Sequence, residues 1–299
     1  MNRILEWKRL LLYLAFSFGL TWIIFFAFIL TGHKWDGSNP KLESFTALGM
    51  LMPFLAHILT RWITGEGFPV MGKDSMMLGI ELKNKKWKYY VFAMLIPWLY
   101  FEIWHALALL ISPEMFDPEY YKAYEIDRNL VWLMPLNGII SGTFISFAAF
   151  GEEGGWRGYM MPKLIHLVGM KKAVLIGGII WGLWHAPLTC VGHNFGTDYP
   201  GFPFLGILIM CIDCILTGIL FTYVTVKSGS VWPAAIMHGV NNANPSILTF
   251  FMNTEKGTGI LANPFFGYFL YFIPTAIIAA FCLNSLCRSA SSDEAAERA

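Results

Sequence analysis

Along this chain apolar residues come in long runs, not in the i, i+3, i+4 stripe of a helix with one wet face. A helix needs about 20 mostly apolar residues to cross the hydrocarbon core of a bilayer. Eight stretches meet that length: 10–30, 44–63, 89–112, 130–158, 173–190, 204–226, 231–251 and 264–286. Pro53, Pro97, Pro135 and Pro274 interrupt several of them, as membrane helices tolerate. The first run, 21 residues long, exceeds the roughly 7–15 of a cleavable signal segment, so it is read as an uncleaved span. The pattern predicts an all-α polytopic membrane protein of about eight transmembrane helices. Residues 1–286 form one domain with a core at 130–251, and a disordered cytoplasmic tail is expected over 287–299.

Lys and Arg set the orientation. With the N-terminus inside, the cytoplasmic segments hold 15 of them and the outer segments 5, leaving aside Arg157 within the membrane. Both termini are therefore placed in the cytoplasm, and the acidic loop 113–129 is expected outside and solvated. Composition agrees with the pattern. The chain is 56% hydrophobic and 14% charged, against about 25% charged in soluble domains. A net charge of +1 carries no basic footprint for nucleic acid. Cys211 and Cys214 make a CxxC inside an apolar run, which reads as packing rather than redox chemistry. No inverted repeat of the transporter kind is visible.

Against this background the charges at GEEGGWRG (151–158) stand out. An ionisable side chain at mid-bilayer costs about 2.5–3.5 kcal/mol on insertion scales, so each is a functional candidate. At 1.5 Å per residue, Glu152 lies about 12–15 Å from the cytoplasmic surface, His185 about 18 Å, His238 about 11 Å and Asn242 about 17 Å. Three helices thus bring polar groups to similar depth. Glu153 and Arg157 are i, i+4 and are expected to pair; Glu152 points about 100° away and is left as a candidate general base. His238 and Asn242, also i, i+4, can both donate to an oxyanion, and Asn241 competes for that role. Gly154, Gly155 and Gly158 admit a close helix neighbour, and Gly178 with Gly182 forms a GxxxG packing face. Glu102 and His105, at i, i+3, match half of a carboxylate metal motif or form a hydrogen-bonded pair; the pair is preferred. His57 and Asp213 are left as supporting or cavity-lining groups. HExxH and GxSxG are both absent.

Glu152-Glu153-x-x-Trp156-Arg157-Gly158, Trp181-x-x-x-His185 and His238-x-x-x-Asn242 resemble, in order, the three motifs of the CPBP intramembrane proteases, the CAAX-protease or Abi family. The resemblance covers residues 130–250 and looks closest to prokaryotic members. It implies an integral plasma-membrane protease of a prokaryotic cell, acting on a peptide or protein in the bilayer through a cavity reached from the cytoplasm or the lipid. By similarity Glu152 and His185 activate water, His238 and Asn242 hold the oxyanion, and Glu153 with Arg157 supports the site. The second motif usually begins with phenylalanine, where this chain has Trp181. A metal-free mechanism with no cofactor is expected. The alternative, zinc held by Glu152, His185 and His238, leaves Asn242 without a use, because an amide is a poor zinc ligand. Two other functions stand beside the protease: a catalytically idle binder such as a bacteriocin self-immunity factor, and a proton-relaying transporter.

Overall fold

Without water to satisfy the backbone, apolar runs must close their own hydrogen bonds, and helices do so. The computed structural model describes residues 3–31, 42–72 and 74–298. Its main helices are α1 (Arg3–Leu30), α2 (Leu42–Thr64), α3 (Trp87–Ile111), α4 (Met134–Gly155), α5 (Met161–Val168), α6 (Met170–Trp184), α7 (Ala186–Thr189), α8 (Phe204–Ser228), α9 (Trp232–Ala243) and α10 (Gly267–Arg298). Among the described residues there is no strand, only one isolated bridge between Phe116 and Met252. The fold is polytopic and all-α.

Among the described residues six helical segments are long and apolar enough to cross a membrane. Two of the eight expected spans are cut short. α6 ends at His185, two residues before Pro187, and α9 ends where Asn244 turns left-handed (φ 41°) ahead of Pro245. Proline disfavours helix at the residue before it and cannot continue the ladder. Both breaks fall beside motif residues, so α6 and α9 stop inside the bundle and present their ends to its interior. At the other extreme α10 continues to Arg298, so the tail expected to be disordered is helical; its Ala, Glu and Arg residues are strong helix formers. The acidic loop is also more ordered than expected. Asp117 N–H donates to Phe251 O (2.9 Å) and Asn253 N–H to Met115 O (2.8 Å), tying it to the segment before α10.

Small residues set the helix spacing around α4. A Cβ on Gly142 would lie 2.5 Å from the Val240 Cα, and one on Gly155 2.5 Å from the Pro53 carbonyl, so α9 and α2 both touch α4 backbone to backbone. The GxxxG does the same for α6. Cβ atoms on Gly178 and Gly182 would sit 2.5 Å from the Cα atoms of Ile215 and Cys211 on α8. Cys211 and Cys214 are free and buried, as packing residues.

One end of the bundle gathers charge. Lys163 Nζ bridges Glu6 (2.8 Å) and Glu66 (2.7 Å), while Arg9 pairs with Glu6 at 2.6 Å. Burial pushes the Glu66 carboxyl up, but hydrogen bonds from Lys163, Tyr159 and Thr64 outweigh it and hold the group below its ordinary 4.5.

Two outcomes test this packing. Gly182→Val should lower stability by about 1–3 kcal/mol through overpacking, while Gly19→Ala, where a Cβ meets open space, should not. Thermal midpoints of the detergent-solubilised protein compare them. Because the Glu66 pKa is depressed on folding, its stabilisation is present above pH 4.5 and is lost as pH falls through the folded value. The midpoint difference between wild type and Glu66→Gln should therefore shrink as pH drops below 4.5; a gap that stays constant would contradict the assignment.

Candidate active site

The C-terminal end of α4 carries GEEGG into a widened π turn, Trp156–Met160. Such turns interrupt the i→i−4 ladder and occur often at functional sites. The carbonyl of Gly154 is taken by His57 on α2, whose Nδ1–H donates to it at 2.8 Å. Arg61 Nε–H donates in turn to His57 Nε2 at 2.7 Å, and Arg61 anchors itself on the carbonyls of Asp74 and Ser75. A cationic donor on Nε2 leaves Nδ1 to carry the imidazole proton, so the tautomer is set.

Glu152 and Glu153 part as their 100° offset requires. Glu153 is wholly buried (0% exposed). Its carboxylate lies 3.1 Å from the Arg157 guanidinium and 2.8 Å from His238 Nδ1, which joins α4 to α9. Glu152 has no such cation. Its Oε2 accepts a hydrogen bond of 2.7 Å from the indole N–H of Trp181 on α6. The same indole carries the Arg157 guanidinium on its face, 4.3 Å from the ring centre, a cation–π contact. The Trp181 carbonyl receives Nδ1–H of His185 at 2.9 Å, leaving Nε2 of that ring as an acceptor.

On α9 the two asparagines form a relay. Tyr100 OH donates to Asn241 Oδ1, and Asn241 Nδ2 donates to Asn242 Oδ1 at 3.4 Å. That order leaves the Asn242 amide N–H₂ for the cavity. Glu152, His185, His238, Asn241 and Asn242 all line one cavity of ≈630 Å³, and Glu153 and Arg157 stand behind its wall. The structure thus brings the six candidate residues together and separates them into four that face the cavity and two that do not.

Among the described residues the Glu152, His185 and His238 of the zinc alternative do not form a ligand cluster. Among the described residues no three His, Cys, Asp or Glu side chains converge as a ligand set.

Comparison with known proteins now bears on these residues. Residues 129–244 match the family described as type II CAAX prenyl endopeptidase Rce1-like. The chain is also 32% identical over 116 residues to CAAX prenyl protease 2 of Methanococcus maripaludis. Segment 129–244 is thus similar to the CAAX-protease family. The aligned stretch is 38% of this chain and 43% of that relative, less than half of either.

Several residues around the site were not weighted enough by pattern alone. Trp181 looked like an aromatic exchanged for an aromatic, yet its N–H reaches Glu152, which phenylalanine cannot do. Glu102 and His105 do not bond each other. Ser246 Oγ donates to Glu102 (3.1 Å) and receives His105 Nδ1–H (2.8 Å), while Ile247 N–H donates to Glu102 (2.7 Å). They pin the chain just after α9, which their i, i+3 spacing could not reveal. Gly218 makes room for Arg157, since a Cβ there would lie 3.1 Å from Nη2. His57 and Arg61 are i, i+4, the one signal that was legible and not used.

The cavity is lined by Phe25 of α1, Met50 of α2 and Tyr268 of α10, each on the helix half remote from Arg9, Arg61 and Lys163. If the Lys/Arg-rich end is cytoplasmic, the cavity belongs to the outer half of the bundle.

Removing His57 tests the brace. His57→Ala leaves a buried carbonyl and Arg61 without their partner, a cost of about 1–3 kcal/mol. A thermal midpoint equal to wild type would show that the π turn holds without it.

Proposed function

We propose that the chain is an intramembrane endopeptidase of the CAAX-protease type, hydrolysing a peptide bond with a glutamate base and no metal. The observation that carries this reading is the division of labour between the adjacent glutamates. Glu153 is neutralised by Arg157 and His238, while Glu152 faces the cavity with one oxygen uncommitted to a cation.

In this mechanism a water sits between Glu152 and His185. His185 Nε2 accepts one of its protons as a hydrogen bond, and its tautomer for that role is set by the Trp181 carbonyl. Glu152 takes the other proton as the water oxygen bonds to the scissile carbonyl carbon. The resulting oxyanion is held by the Asn242 amide N–H, whose orientation follows from the Tyr100–Asn241 relay. His238 adds Nε2–H when both its nitrogens are protonated, with Glu153 as counter-ion. Collapse breaks the C–N bond, and Glu152 returns its proton to the departing amine. Loss of one oxyanion donor typically costs 10²–10³ in kcat, about 2.7–4 kcal/mol.

The substrate is a peptide or protein segment at the membrane, entered from the bilayer or the half of the bundle remote from the Lys/Arg-rich end. The location proposed is a prokaryotic plasma membrane. A self-immunity binder needs no uncommitted buried carboxylate beside an oriented amide, which favours the enzyme.

Comparing peptide termini in membranes from cells making wild type and Glu152→Gln tests the reading. Termini present in the first and absent from the second, at equal folded protein, are the expected result. Identical profiles would leave a binding protein as the function.

A further inference from the structure

α8 places Met210, Asp213, Thr217 and Phe221 on the cavity wall, a helical stripe at i, i+3, i+7 and i+11. Asp213 takes no part in the chemistry above. It is a carboxyl group in the middle of the most apolar of the spans, where an unneeded charge is selected against by its insertion cost. Its buried Oδ1 has no hydrogen-bond partner among the described groups, while the Tyr271 hydroxyl lies within hydrogen-bonding reach of the carboxyl. The main-chain carbonyl of Asp213 is used by Thr217 Oγ1 (2.7 Å), so that hydroxyl is engaged elsewhere.

Aromatic rings share the cavity wall with this carboxyl group. Phe101, Trp104, Tyr268 and Tyr271 line the same cavity. Tyr271 stacks on Phe101 at 5.7 Å and meets Trp104 edge-on at 5.4 Å, and Trp104 lies 6.0 Å from Tyr268. Tyr268 and Tyr271 lie close to the Asp213 carboxyl. A carboxylate among aromatic faces is the chemistry that holds an ammonium or guanidinium group, by charge and by cation–π attraction together. Among the described lining residues there is no Lys or Arg to occupy it. Arg157, the nearest motif cation, is held by Glu153 behind the wall.

We propose that Asp213 with Phe101, Trp104, Tyr268 and Tyr271 forms a cation subsite of the cavity, taking a lysine or arginine side chain of the substrate. The inference rests on the protease reading for its role, not for the binding itself. The subsite shares its cavity with Glu152 and His238, so a basic side chain held there sets which peptide bond meets the base. A neutral peptide leaves the buried Oδ1 unpaired, and discrimination built on a buried polar group is larger than apolar fit alone supplies.

Two measurements on the purified full chain in detergent separate this idea from the protease reading. The first is binding: n-hexylammonium should raise the thermal midpoint of wild type where n-hexanol at the same concentration does not. Asp213→Asn should lose that difference and Asp213→Glu keep part of it. The second is cleavage of a mixed peptide library. Wild-type cuts should be enriched at least tenfold for Lys or Arg at one fixed position from the scissile bond, and the enrichment should collapse in Asp213→Asn. Cleavage with no basic preference, or equal stabilisation by the ammonium and the alcohol, overturns the subsite. Ammonium binding that depends on Asp213 without any cleavage sustains the subsite and overturns the protease. The wild-type comparison of ammonium with alcohol remains decisive even if the variants fail to fold.

Discussion

A carboxylate with no water around it must be paired, and Glu153 carries that constraint for the whole bundle. Arg157 meets it from the π turn that follows α4 and His238 from α9, so one buried group fixes the axial position of two helices against each other. The arrangement adds little to net stability, because desolvation offsets much of the attraction. Its worth lies in specificity. Removing one partner leaves an uncompensated buried charge at a cost of about 3–5 kcal/mol, so any register that separates α4 from α9 is excluded.

Around that pair the site is held from three sides. Trp181 receives the outer face of Arg157 on its ring and spends its N–H on Glu152 and its carbonyl on His185. His57 and Arg61 hold the carbonyl at the end of α4 where the helix widens. Glu102 and His105 hold the chain just beyond Pro245, where α9 has stopped. None of these residues needs to touch a substrate. In the proposed mechanism each fixes an atom whose small displacement would misplace the water or the oxyanion donors, and effective positioning is worth several kcal/mol of barrier.

The short helices have the same logic. A span of α6 or α9 running fully across the membrane would satisfy all its backbone groups and leave no polar terminus inside. By stopping at His185 and Asn244, ahead of prolines, the two helices expose side chains and chain ends to a cavity that water can enter. Irregular backbone at membrane depth is tolerated only where it lines such a space.

Much of this was legible before any coordinates. Length and apolar runs determine a helical membrane protein, because no other structure closes its hydrogen bonds in lipid. The i, i+4 spacing of Glu153 with Arg157 determines their pairing, and the one-residue step to Glu152 determines that it faces elsewhere; both follow from 3.6 residues per turn. The GxxxG announced a close contact, which proved to be with α8. What only the tertiary structure decided are the partners across helices. His238 with Glu153, Trp181 with Glu152, Ser246 between Glu102 and His105, and the aromatic wall shared with Asp213 join residues from 29 to 144 positions apart with no shared period. Periodicity tells which face of a helix a side chain occupies; it carries no information on which helix lies against that face, because that is set by packing of the whole bundle.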